Sequence, residues 1–249
     1  MPANPQDFEV AALVAFILVF EVAERLRPTR AIDRRAHLRT DLLSFGLALL
    51  LNRVASRTVT HSVEGIGPAL VVDTLATLPS VAKIAIALVV VDFVLYWIHR
   101  AQHRSEILWR THAWHHSIEN LYWFSGFRTS FFHSLVYNVP QAAIPLFVFG
   151  MTPLEAGAAY SIGIFVQFWE HTNLRVEIGP LRHVLMTPAF HRVHHSATVH
   201  RGKNLAPIFP FWDHLFGTFV DPRSVEGDFP LGLGERVPLR RMPRMLLGV

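Results

Sequence analysis

The residues able to do chemistry in this sequence are its histidines. Five fall within 18 residues, His99, His103, His112, His115 and His116, in the stretch DFVLYWIHRAQHRSEILWRTHAWHHS from Asp92 to Ser117. His191, His194 and His195 form a second dense group, with His171 between the two. His99 and His103 are spaced i, i+4, which on a helix puts them on one face. His112-x-x-His115-His116 and His191-x-x-His194-His195 share one pattern. Its i and i+3 residues are spaced to ligate one ion, and the adjacent i+4 points about 100° away, toward a second. Nine imidazoles exceed the three or four ligands of a single zinc site and suit two metals with open positions. Imidazole accepts iron, zinc or copper, so the count leaves the element open. Cysteine is absent, which excludes thiolate ligands and thiol nucleophiles.

Asp92 and Tyr96 precede His99 by seven and three residues and share its helical face. An ionisable residue inside an apolar helix needs a partner, and Asp92 is expected to take the spare ring N–H of a ligating histidine. Two lone histidines, His133 and His183, are further ligand candidates. His37 and His61 read as surface or capping residues, and His200 and His214 as hydrogen-bonding ones.

The elements that must position these groups are apolar. Half of the 249 residues (51%) are hydrophobic and 17% are charged, against about 25% in an average soluble domain. The mean hydropathy is +0.30. No internal repeat or low-complexity tract divides the chain, which reads as one domain over 1–249. Apolar stretches at 8–26, 41–60, 81–98, 131–149 and 154–169 predict an all-α, polytopic membrane bundle of about four or five spans. A histidine-rich metal-binding cap completes it. Residues 61–80, rich in Gly and Pro, read as a connection. The first stretch lacks a basic lead and a cleavage site, so it reads as an anchor.

Arg25, Arg27, Arg30, Arg34, Arg35 and Arg39 crowd between the first two stretches, whereas 61–80 has no Lys or Arg. The positive-inside rule then puts the arginine-rich connection in the cytoplasm. The third span delivers His99 to that face, and the hairpin of spans four and five delivers His171 and His191–His195 to it. The net charge of +4 sits beside apolar stretches and favours anionic lipid headgroups over nucleic acid as partners.

These residues resemble the fatty acid hydroxylase superfamily, the sterol desaturase-like membrane di-iron oxygenases. The matching stretches are His99-Arg100-x-x-His103, His112-x-x-His115-His116-Ser117, Glu170-His171-Thr172-Asn173 and Thr187-Pro188-x-x-His191-Arg192-x-His194-His195-Ser196. The ending Trp212-Asp213-His214-Leu215-Phe216-Gly217-Thr218 matches too. Likeness runs from about Arg39 to Phe219 and, over 168–195, extends to alkylglycerol monooxygenase-like members. The resemblance implies two iron ions held by His99, His103, His112, His115, His116, His171, His191, His194 and His195. Asn173 joins Asp92 and Tyr96 as a residue standing behind the ligands. It further implies O₂-dependent hydroxylation or desaturation of a fatty acyl, sterol or alkylglycerol-type C–H bond. The chain departs from the family at Asn204-Leu205-Ala206, where members often carry Asn-Tyr-Gly.

No Gly-rich dinucleotide fingerprint or cysteine cluster supplies electrons, so a ferredoxin- or cytochrome-type donor is expected. Trp97, Trp109, Trp114, Phe124, Phe127 and Trp169 are candidates to line a substrate cavity. Rival readings are a zinc-dependent membrane hydrolase or metal transporter, zinc also competing for such ligands in isolated protein, and a non-catalytic haem protein. Haem ligation needs histidines on facing helices, unlike this crowding in adjacent positions.

Overall fold

The apolar stretches of the sequence become helices, and the histidines sit at or just past their ends. The computed structural model describes residues 5–66, 71–197, 201–225, 229–235 and 237–249, and within these the side chains of all but 5–13, 51–52, 55–66 and 239. Besides a single α-helical turn at Asp73–Ala76, the α-helices are α1 (Pro5–Leu26), α2 (Leu38–Ile66), α3 (Ser80–Arg104), α4 (Glu106–Ala113), α5 (Phe131–Ala143), α6 (Pro153–His171), α7 (Pro188–His194), α8 (Phe211–Phe216) and α9 (Met242–Leu247). Among the described residues no β-strand forms, and extended pairing is confined to the isolated bridges Pro28–Leu174 and Ser196–Leu231. The all-α expectation holds.

Local signals set the boundaries. Thr152 and Glu155 form a capping box, the Glu155 carboxylate accepting from Thr152 N (2.8 Å), with Pro153 opening α6. Thr187 Oγ1 accepts from Phe190 N (3.2 Å), with Pro188 opening α7. Pro140 lies inside α5 and has no N–H for the ladder. A π-helical turn, Ile144–Val148, follows it, so the expected 131–149 stretch is one irregular rod. One boundary differs from expectation. α2 continues through Ile66 into the stretch read as a connection, because no proline interrupts it before Pro68.

Among the described residues, α3 is the one helix both long and apolar enough to cross a membrane by itself. It buries Ala87, Val91, Leu95, His99 and Gln102 on one side, while Val81, Val89, Val90, Phe93 and Trp97 face outward. That spacing of three and four is a single helical stripe. α3 packs on α5 and α6, α2 packs on α5, and α7 packs on α6. α1 joins through Phe20, clustered with Trp123 and Phe168. It also joins through buried Glu24, which accepts from Trp123 N, Asn173 N (both 2.8 Å) and Arg34 (2.7 Å). At the end remote from the histidines, Lys83 and Glu155 (2.8 Å) tie the starts of α3 and α6 together.

Candidate metal centre

Nine histidines from five elements converge. His99 and His103 stand on the last turns of α3, and His112 on α4. His115 and His116 lie in the 3₁₀ turn that follows α4, and His171 closes α6. His191 and His194 lie on α7, with His195 at its C-cap. Their nitrogens form two groups, each with its ligand atoms within 4.8 Å of one another: His99, His103, His112, His116 and His194; and His115, His171, His191 and His195. The groups adjoin, the rings of His116 and His195 stacking at 4.6 Å.

The division differs from the sequence expectation. His112 and His116 share one group and His191 and His195 the other, while His115 and His194 each cross over. Four helical residues turn about 40° past a full circle, whereas three fall about 60° short, so i and i+4 share a face more closely.

Within each group the Nε2 atoms face one another. His112 Nε2 is 2.9 Å from that of His99 and 3.1 Å from that of His116. His115, His171, His191 and His195 meet at 3.0–3.2 Å. Ring orientation is fixed from outside. The Nδ1–H groups of His99, His115, His171 and His194 donate to the carbonyls of Leu205 (2.6 Å), Arg128 (3.2 Å), Gln167 (2.7 Å) and Lys203 (2.9 Å). Each such bond leaves the Nε2 lone pair pointing inward.

Burial and neighbouring imidazoles hold His112, His115, His116, His191 and His195 well below the usual histidine range, and burial lowers His194 to about 4. These rings are neutral at pH 7, the form that ligates metal. Both nitrogens of His103 and the Nε2 of His194 are buried without a hydrogen-bond partner. Converging lone pairs and orphaned acceptors form a donor set suited to a cation. Separations near 3 Å also match neighbouring nitrogen ligands each about 2.1 Å from one ion. The residues fit a two-metal centre.

Behind the rings stand groups to which the sequence reading gave no supporting role. Glu170 places its two carboxylate oxygens 3.6 Å from the Nδ1 atoms of His171 and His191. Arg128, whose carbonyl holds His115, is itself fixed by buried Asp41 (2.9 Å) and by the Ser117 carbonyl (2.8 Å). Asp213 accepts from the N–H groups of Leu205 and Ala206 (2.7 and 2.8 Å). Asn204 begins that loop with φ at 54°, a left-handed conformation asparagine tolerates. Its side chain clamps Phe190 O and both backbone groups of Val220.

The expected supporting residues act differently. Asp92 takes no histidine N–H; its oxygens accept from Ile208 N (2.8 Å), Phe209 N (3.1 Å) and Trp212 Nε1 (3.0 Å). The unpaired amides of the loop from α7 to α8 outcompete a ring N–H that already has a carbonyl. Asp92 thus pins the loop that carries the Leu205 carbonyl. Tyr96 bonds Thr218 (2.8 Å) and Arg100 (2.6 Å) rather than a ligand. Asn173 bonds both backbone groups of Arg30, tying the α6 exit to the arginine-rich connection. His133 sits outside both groups, its Nδ1 3.1 Å from that of His112. His183 pairs with His214 (3.1 Å) on an exposed face away from the centre. His37 meets Glu119 at the surface (3.5 Å). The side chain of His61 and all of His200 lie outside the described residues.

A cavity of about 130 Å³ runs from between α3, α5 and α6 up to His99, His112, His115, His171 and His191. Of the aromatic candidates only Phe127 lines it. Trp114 is buried and donates to Ser44 (3.1 Å), and Trp169 donates to the Met186 carbonyl (2.9 Å).

The fatty acid hydroxylase family model matches residues 84–218, a stretch containing all nine histidines. Alkylglycerol monooxygenase of Xenopus tropicalis is 38% identical over 138 residues, 54% of this chain and 30% of that protein. Ornithine lipid hydroxylase OlsE of Rhizobium tropici is 34% identical over 149 residues, 58% of this chain and 44% of its own length. Sphingolipid C4-hydroxylase sur2 of Schizosaccharomyces pombe is 25% identical over 140 residues, 55% of this chain and 48% of its own length. The chain thus spans less than half of each of these relatives, and no solved structure matches it. With the histidine pattern, its convergence and the match over more than half the chain in agreement, this chain belongs to the fatty acid hydroxylase family.

Proposed function

We propose that the chain is an integral, multi-pass membrane oxygenase that inserts oxygen into a C–H bond of a lipid. The nine histidines are its metal ligands, five on one iron and four on the other. The observation that carries this reading is the pair of inward-facing imidazole groups at the head of a bundle cavity. Two irons held there supply the activation of O₂ that an unactivated C–H bond requires. The balanced reaction is R–H + O₂ + 2 e⁻ + 2 H⁺ → R–OH + H₂O, with the electrons from an external ferredoxin- or cytochrome-type donor.

The chain's own residues bind, orient and exclude. Ala87, Leu88, Val91, Leu95, Ile164 and Phe168 make an apolar wall for an alkyl chain that enters between the helices. The carbonyls of Leu205, Arg128, Gln167 and Lys203 hold four of the imidazoles in one tautomer and orientation. Burial of the rings keeps water from the head of the cavity.

Membrane insertion is supported by outward-facing Leu18, Val19 and Val22 on α1, Leu42, Leu43, Leu49 and Leu50 on α2, and the exposed face of α3. Such a continuous apolar exterior suits lipid rather than water. The arginine-rich connection supports a cytoplasmic position for the histidines.

Metal analysis of protein purified with iron under anaerobic conditions tests the centre, with two irons per chain expected. Lipidomics of cells carrying wild type or His115→Ala tests the reaction, with oxidised lipid expected for wild type alone. One zinc per chain with oxygen-independent activity would overturn the reading in favour of a hydrolase.

A further inference from the structure

The function proposed above leaves Trp109 unused. Its ring, half-buried on α4, lies 5.2 Å from that of His103 and 5.1 Å from that of His116, both in the group of five. The Arg201 guanidinium stands 4.1 Å over the same ring. Trp109 also lines an open groove with Arg110, Ala113, Arg241, Arg244 and Met245, where α9 packs against α4. Arg241 pairs with Glu235 (2.8 Å); among the described residues Arg110 and Arg244 have no carboxylate partner. Arg201 therefore covers one aromatic ring whose inner contacts are candidate ligands, and Arg110, Arg241 and Arg244 line the groove beside it.

We propose that this groove docks a small acidic one-electron carrier protein, and that Trp109 is the side chain through which its electrons reach the group of five. The proposal rests on the redox reading above. That reading requires two electrons per turnover, and the chain has no cysteine cluster or dinucleotide fingerprint to deliver them. Two reduced carriers would each lose one electron at the groove, and the pair balances the O₂ reduced to water in the overall reaction. Clustered arginines attract an acidic partner and speed its encounter. The contact chain from groove to Trp109 to His103 and His116 is continuous, so no solvent gap interrupts the route. A lipid surface would use the arginines but not the inward contacts of the recessed ring.

The test uses the full chain in phosphatidylcholine nanodiscs and an acidic [2Fe–2S] ferredoxin as probe. Ferredoxin binding should weaken with salt, and Arg110→Glu/Arg244→Glu should slow association about tenfold or more. Trp109→Leu should bind iron as wild type does, yet lose ferredoxin-driven iron reduction in anaerobic stopped flow even at saturating ferredoxin. Dithionite should still reduce its iron at the wild-type rate, and Trp109→Phe should recover part of the ferredoxin-driven rate. Equal ferredoxin-driven reduction of wild type and Trp109→Leu would overturn the entry route. Unchanged ferredoxin association after charge reversal, with loss of binding to phosphatidylserine vesicles, would make the groove a membrane contact and overturn the docking. The binding arm runs equally on metal-free chain, so failure of the iron reading leaves the docking result intact.

Discussion

The Nδ1 atoms of His112 and His133 stand 3.1 Å apart, in rings stacked 4.7 Å centre to centre. The Nε2 of His112 faces His99 and His116, so its proton belongs on Nδ1, with His133 Nδ1 as acceptor. Gln102 Nε2 approaches the same acceptor at 3.3 Å. In the proposed centre His133 then orients the ligand His112 from outside both groups. His133→Ala should lower metal affinity about 10- to 100-fold, the range seen when such an outer partner is lost. His133→Asn, which keeps an acceptor, should lose less. Chelator competition measures both, and wild-type retention by His133→Ala would sink the assignment.

Asp41 and Arg128 form the buried ion pair beneath His115, both almost fully inaccessible. Asp41 also accepts from the Tyr122 hydroxyl, and the arginine face covers Trp114 at 5.7 Å. Removing one partner leaves a buried charge uncompensated, which costs about 3–5 kcal/mol. Asp41→Ala should therefore lower the thermal midpoint sharply and, by freeing the Arg128 carbonyl, loosen metal held by His115. A midpoint within error of wild type in the same detergent would refute this.

The centre was legible in sequence because its ligands are local. Imidazoles spaced by three and four residues at helix ends announce a shared face, whatever the surrounding fold. What lay behind them was not legible. Glu170 reaches His191 only because α6 and α7 pack together, and Asp41 meets Arg128 across 87 residues of chain. Asp92 stood out in the sequence as a buried charge. Its partners could not be read there, because they are two main-chain amides and the Trp212 indole of a segment over a hundred residues later. The helices were legible from hydropathy, whereas their irregularities came from Pro140 and from the absence of a breaker before Pro68. The assignment of each histidine to a group depended on angles around α7 and the 3₁₀ turn that spacing alone does not resolve.

Gly163 lines the cavity on α6, and a side chain added there meets the flexible end of Gln141 at 3.2 Å. Gly163→Leu should fill the space for an alkyl chain while leaving the histidines untouched. Iron content should match wild type, and oxidised lipid should fall most for the longest chains. Lipidomics with parallel metal analysis checks this; equal loss of iron and product would point to misfolding, and unchanged product would remove the cavity from the substrate path.

Gly126 lies against His171, and a Cβ at that position would stand 3.1 Å from both Cγ and Nδ1 of the ring. The ring has little freedom to move away. Its Nδ1 is bound to the Gln167 carbonyl at 2.7 Å, and its Nε2 faces His115 and His191 at 3.2 and 3.1 Å. A methyl group there must displace the imidazole by a few tenths of an ångström, and metal ligation tolerates such displacement poorly. Gly126→Ala should weaken iron binding in the group of four while sparing the group of five, so that stoichiometry falls from two toward one. Mössbauer spectra of iron-57-loaded protein would show one of the two environments depleted. Equal depletion of both would mean the two groups rise and fall together, and that Gly126 guards the whole centre rather than one ring.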